Sequence, residues 1–208
     1  GQGIMDIFLD SGASAVLMGG DTMNPSTQEI LDAAKDIAAE QIIVLPNNSN
    51  IIPAAEHASS LSSKKMTVIP SRTIPQGIAA LLSFNSRQEF QDNVEAMTQS
   101  TSTVVSGAIC AAQRDAELGG VKVVKGQFMG LLERQMVVAG TDRAAVLLDL
   151  VTEASPEDGS LITLYWGADT QEGEVNKAAE VIPTRFPGVE VEVVFGGQPH
   201  YNYIVSVE

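Results

Sequence analysis

The chain holds one cysteine, Cys110, two histidines, and only 12 lysines and arginines against 26 aspartates and glutamates. A single thiol excludes a disulfide framework and fits a reducing compartment, so a cytoplasmic location is expected. The formal charge of −14 excludes a nucleic-acid partner, because nothing in the chain could neutralise a run of phosphates. It argues equally against an anionic membrane surface and in favour of a basic partner. Long apolar runs are missing too. The stretches Gln41–Pro46 and Leu161–Trp166 are strand-length, and no membrane-spanning helix is expected. No GxxxxGK[ST] run occurs, and Gly19-Gly20 lacks the third glycine and downstream acid of a dinucleotide fingerprint, so no Gly-rich cofactor cradle is expected.

What is present is enough for one large or two small domains at 208 residues. The chain begins Gly1-Gln2-Gly3 with neither an initiator Met nor a signal peptide, and reads as a piece of a longer protein. The pattern predicts an α/β fold with a boundary near Ser100. Residues 1–100 read as a parallel-sheet α/β half, and residues 101–208 as an α+β half rich in antiparallel strands. In the first half the expected strands are Ala15–Gly20, Gln41–Pro46 and Met66–Pro70. Each is followed by a helix, starting at Ser26 or Thr27, at Asn50 and at Pro75, and a further helix covers Arg87–Ser100. In the second half the strand segments are Thr103–Ala112, Val121–Glu133, Gln135–Ala139, Leu161–Gly167, Val189–Phe195 and Tyr201–Val207. Tight turns are expected at Gly119-Gly120 and Glu133-Arg134, and helices over Asp142–Glu153 and Gln171–Phe186.

Three polar loops follow the first three strands. They carry Thr22, Asn24, Ser26 and Thr27; then Asn47, Asn48 and Asn50; then Arg72, Thr73 and Gln76. Loops at the carboxyl ends of parallel strands are where open α/β sheets bind ligands, since helix starts attract an anion and Arg72 adds a guanidinium fork. The competing reading is that these residues only build turns and caps. Near the C-terminus, Gln198, His200 and Tyr201 lie in a connection between two strands, and Tyr201 and Tyr203 are expected on one strand face. They are read either as a contact patch or as side chains half-buried on the sheet. His57 reads as a solvated helix residue and Cys110 as a core thiol. No paired carboxylates, nucleophile–base pair or metal-ligand spacing appears. Catalysis by this chain alone is therefore not expected, and whether it is part of an enzyme stays open.

The runs GGDTMNPSTQEI, LPNNSNIIPAAEHA, VIPSRTIPQGIAALLSFN and FGGQPHYNYIVSVE resemble the C-terminal region of the bacterial fatty acid kinase A subunit (dihydroxyacetone-kinase-like, DhaL/DAK family). The resemblance runs the length of the chain; departures are Asp21, where the family usually has Gln, and Ser71-Arg72, where Thr-Lys is common. It implies a non-catalytic module of a longer kinase. No cofactor would belong to this stretch; ATP and Mg would be held by an N-terminal domain outside it. The implied partners are an acyl-carrying DegV-like protein and the remaining domains of the parent, and a homodimer is left open. A weaker resemblance links Thr22, Asn24, Pro25 and Ser26, then Asn47–Asn50, then Val68–Ser71, to the fatty-acid-carboxylate loops of the DegV-like carriers themselves. Asn residues replace the second segment and its Gly-Thr is absent, which implies a relative of the carrier fold with a lost or altered lipid pocket. The alternatives are a fatty-acid-binding domain of DegV type or a structural dimerisation domain.

Overall fold

A computed structural model describes residues 1–19 and 24–208. The chain forms two compact units, residues 5–103 and residues 104–208 with residues 1–4. An opening helix, α1 (Gln2–Asp10), was not anticipated from the pattern.

In residues 5–103 the strands β1 (Gln41–Val44) and β2 (Lys65–Val68) pair in parallel, Gln41 opposite Lys65. The connecting helix is α3 (Ile52–Leu61), so this is a β–α–β unit. Strand alternation sends side chains to two faces, and both are covered. Ile42 and Met66 pack with Ile30 and Ala34 of α2 (Thr27–Asp36) and with Ala55 and Ala58 of α3. On the other side Ile43 and Leu45 meet Ile69, Ala80 of α4 (Ile74–Leu82) and Met97 of α5 (Phe90–Ser100). The expected strand over Ala15–Gly20 is not formed by residues 15–19, where Leu17 and Met18 are exposed. Its apolar letters suggested a buried strand, but among the described residues no ladder partner pairs with them; Gly20 lies outside the described residues.

Residues 104–208 build one six-stranded sheet in the order β7-β6-β3-β10-β8-β9. The strands are β3 (Val105–Ala111), β6 (Phe128–Leu132), β7 (Gln135–Gly140), β8 (Leu161–Trp166), β9 (Glu190–Phe195) and β10 (Tyr201–Val207). All neighbours are antiparallel except β8 and β9. The parallel pair needs a crossover, supplied by α7 (Glu172–Arg185), while α6 (Arg143–Ala154) links β7 to β8. Leu147, Leu150 and Val151 of α6 and Val175 and Ile182 of α7 pack on Ile109, Ile162, Leu164, Tyr203 and Val205. The long segment expected over Val121–Glu133 divides into β5 (Val121–Val123) and β6, and β5 pairs with a short β4 (Ala116–Leu118). The turns Gly119-Gly120 and Glu133-Arg134 all have positive φ, 59°, 82°, 45° and 69°, as two-residue hairpin turns demand.

Polar staples fix the helices. Arg143 donates Nε to Glu174 Oε1 at 2.7 Å and Nη2 to Glu174 Oε2, tying the first turn of α6 to that of α7. The Tyr203 hydroxyl reaches the same carboxylate at 3.4 Å. Burial, with the Glu174 charge, pushes the Tyr203 phenol up to about 12. In the other unit, Lys64 Nζ donates to the carbonyls of Ala34 and Lys35 at 3.0 and 3.2 Å and to that of Ile37, closing the open end of α2. Lys64→Met is expected to lower stability by about 1 kcal/mol and to speed hydrogen exchange in α2. Denaturant unfolding and exchange mass spectrometry measure both, and an unchanged α2 would refute the capping role.

Candidate functional site

The loops of residues 46–50 and 71–76 both leave the carboxyl ends of the parallel strands β1 and β2. At their junction stands Ser71, fully buried. Its Oγ accepts the Asn47 N–H at 3.0 Å and donates to Asn47 Oδ1 at 2.8 Å. Asn47 is in the left-handed region, φ 56°, which Asn tolerates better than most residues. Its carboxamide lies over Gly77, where a Cβ would fall 1.8 Å from Asn47 Oδ1. Next to it, Asn48 Oδ1 accepts the Asn50 N–H at 3.0 Å, forming an Asx turn. Thr73 caps α4 by accepting the Gln76 N–H at 3.3 Å, and Gln76 Oε1 accepts the Arg72 N–H at 2.8 Å. The donors that could have gripped a ligand here thus serve the chain's own acceptors. Arg72 and Asn50 are exposed, Asn48 and Thr73 are partly buried, and Gln76 is buried.

Ser26 caps α2 in a reciprocal box. Its Oγ accepts the Glu29 N–H at 3.2 Å while its own N–H and hydroxyl donate to Glu29 Oε2, both at 2.7 Å. Those bonds, the backbone one first, hold the Glu29 carboxyl below its ordinary range. Thr27 Oγ1 donates to the Ala54 carbonyl at 3.4 Å, joining α2 to α3. Asn24 is exposed, and Thr22 lies outside the described residues.

Gln198, His200 and Tyr201 belong to the other unit, in the connection between β9 and β10. Gln198 is buried and donates Nε2 to the Tyr165 carbonyl at 2.8 Å, while its Oε1 has no partner among the described residues. His200 is exposed with φ 68°, and Tyr201 is half-buried. Tyr201 and Tyr203 do not share a strand face. A bulge lets Tyr201 pair with Cys110 and Tyr203 with the adjacent Ile109, which shifts the alternation by one residue. Tyr203 enters the core, and the sequence alone carries no mark of the extra residue.

Pattern reading passed over Ser71 and Gly77, which hold this corner. Gly77 gave a signal, since a glycine inside a helix marks a close approach; Ser71 gave none, being one polar loop residue among many. Cys110 is buried and burial pushes its thiol up, as a core thiol requires. His57 is exposed, and no group of three metal-binding side chains occurs among the described residues.

This architecture defines a class, the DegV-like α/β proteins. The Fatty Acid Kinase (Fak) B3 protein of Streptococcus pneumoniae, a structure loaded with linoleic acid, superposes with TM-score 0.63 and 14% identity over 88% of this chain and 76% of that one. A Thermotoga maritima protein whose structure revealed fatty acid binding gives 0.63 at 9% identity, covering all of this chain and 83% of that one. Across residues 1–208 the chain matches, and belongs to, the FakA-like C-terminal family, the C-terminal part of A-type fatty acid kinase chains. It is 39% identical over 208 residues to protein YloV of Bacillus subtilis, and 38% identical to an uncharacterized protein of Staphylococcus aureus strain USA300. In both cases it covers 38% of the relative's length.

Ser71→Ala would leave two Asn47 groups without their partner and should cost about 1–3 kcal/mol, read by denaturant unfolding. A neutral result would show the bonds to be replaceable by water. Because the Glu29 pKa is depressed in the folded state, its cap is fully present above the ordinary glutamate range and is lost as pH falls through the depressed value. An acid titration followed by NMR should show the α2 amides losing protection there. Glu29→Gln should remove that pH dependence, and an unaltered titration in the variant would contradict the assignment.

Proposed function

We propose that this chain is the carrier-docking module of a fatty acid kinase. It engages an acyl-loaded, DegV-like binding protein, so that an ATP- and Mg-binding domain elsewhere in the longer protein can phosphorylate the acyl carboxylate. The observation that carries the reading is the internal bonding of the carboxyl-edge loops. Asn47, Ser71, Thr73 and Gln76 are consumed in holding the loops rigid, while Arg72 and Asn50 face outward. Loops built this way are preorganised for a macromolecular partner, and rigid loops lose little entropy on binding. Family membership supports the kinase context, and the 38% coverage of its relatives leaves room for the catalytic domain. The net charge of −14 favours a basic face on the carrier and a salt-sensitive association rate.

In calorimetric titration against the acyl-loaded carrier, the chain should bind, and Arg72→Ala should weaken the complex roughly tenfold, as loss of about 1.4 kcal/mol implies. Failure of the unmodified chain to bind a carrier that the full-length protein does bind would overturn the proposal. An unchanged affinity for Arg72→Ala would remove Arg72 from the interface.

A further inference from the structure

The Asn47 side chain stands where a ligand's carboxyl group would stand. Its Oδ1 accepts the buried Ser71 hydroxyl at 2.8 Å, and its carboxamide covers Gly77, with Cγ 2.5 Å from where a Cβ would lie. A carboxamide and a carboxylate share one planar shape and differ in a single terminal atom and in charge. The place lies at the carboxyl edge of β1 and β2, the edge at which α/β sheets bind ligands. Two locally unfavourable choices are kept to make the fit. Position 77 is glycine inside a helix, and position 47 is a residue with a side chain in the left-handed region, φ 56°. Either one alone would be a lapse of local preference; together they reserve a space and fill it.

We propose that Asn47 is a built-in occupant of this corner, closing it to free carboxylate ligands by supplying the planar group from within the chain. Asn47 is then the residue that separates this unit from an open carboxylate-binding site on the same kind of sheet edge. The inference is independent of docking: a carrier that fails to bind leaves it standing, and a corner that takes a carboxylate in the unmodified chain leaves docking standing.

The test is chemical rescue in the 208-residue chain. Asn47→Gly keeps the left-handed backbone and removes the carboxamide, so the buried Ser71 hydroxyl loses its acceptor. Its melting temperature should fall, and sodium acetate should raise it again by roughly 3–6 °C. Sodium chloride at equal ionic strength should not, and the unmodified chain should respond to neither salt. Acetate stabilisation of the unmodified chain would overturn the proposal. So would a folded Asn47→Gly that acetate does not restore, or one restored by acetamide alone. Asn47→Asp examines the same corner without emptying it: a melting temperature near that of the unmodified chain at about pH 7 supports a place that accepts a carboxylate. A fall as large as that of Asn47→Gly overturns it.

Discussion

A parallel strand that ends inside a domain hands its neighbours an obligation, because the amides and carbonyls beyond the last ladder bond must still find partners. In residues 5–103 that obligation converges on one hydroxyl. Ser71 takes the Asn47 N–H and gives its proton to the Asn47 side chain, joining the loop after β1 to the loop after β2. From that bond follow the left-handed turn at Asn47, the glycine at position 77, and the outward direction of what remains. The polar density of these loops is largely the means of their rigidity.

Residues 104–208 meet a different constraint, the pairing of two parallel strands at one edge of an otherwise antiparallel sheet. The crossover helix α7 has to start close to α6, and the Arg143–Glu174 pair ties the two starts together above Tyr203. At the β9–β10 connection the bulge turns Tyr201 away from the core face and leaves His200 in the left-handed region. The buried Gln198 and Asn202 oxygens without partners among the described residues lie in the same stretch. This connection gives up local satisfaction for shape.

Family membership and fold fit each other: a chain of the FakA-like C-terminal family has the architecture seen in a linoleic-acid-loaded fatty acid kinase B3 protein. Two proteins of one fold can divide tasks if one keeps an open carboxyl-edge site and the other fills its own. Asn47 over Gly77 is a physical basis for such a division.

Much of the element pattern was legible from local signals. The Ser26 cap, the Asp142 cap, the hairpin turns at Gly119-Gly120 and Glu133-Arg134, and β10 over Tyr201–Val207 all follow from capping chemistry, turn chemistry or alternation. The fate of residues 15–19 was not legible, because a strand exists only when a partner pairs with it, and apolar letters do not name the partner. The tyrosine faces were illegible for a related reason, since one extra residue in the β10–β3 ladder reverses every face beyond it. The candidate loops were visible as loops, but the role of each residue in them was not. The sequence by itself determined where helices start, where hairpins turn and which stretches are polar, since those depend on side chains reaching their own backbone. Only the tertiary structure decided that Ser71 meets Asn47 across 24 residues and that Gly77 makes room for it. Contacts between distant segments depend on where the chain returns, and no local propensity encodes that.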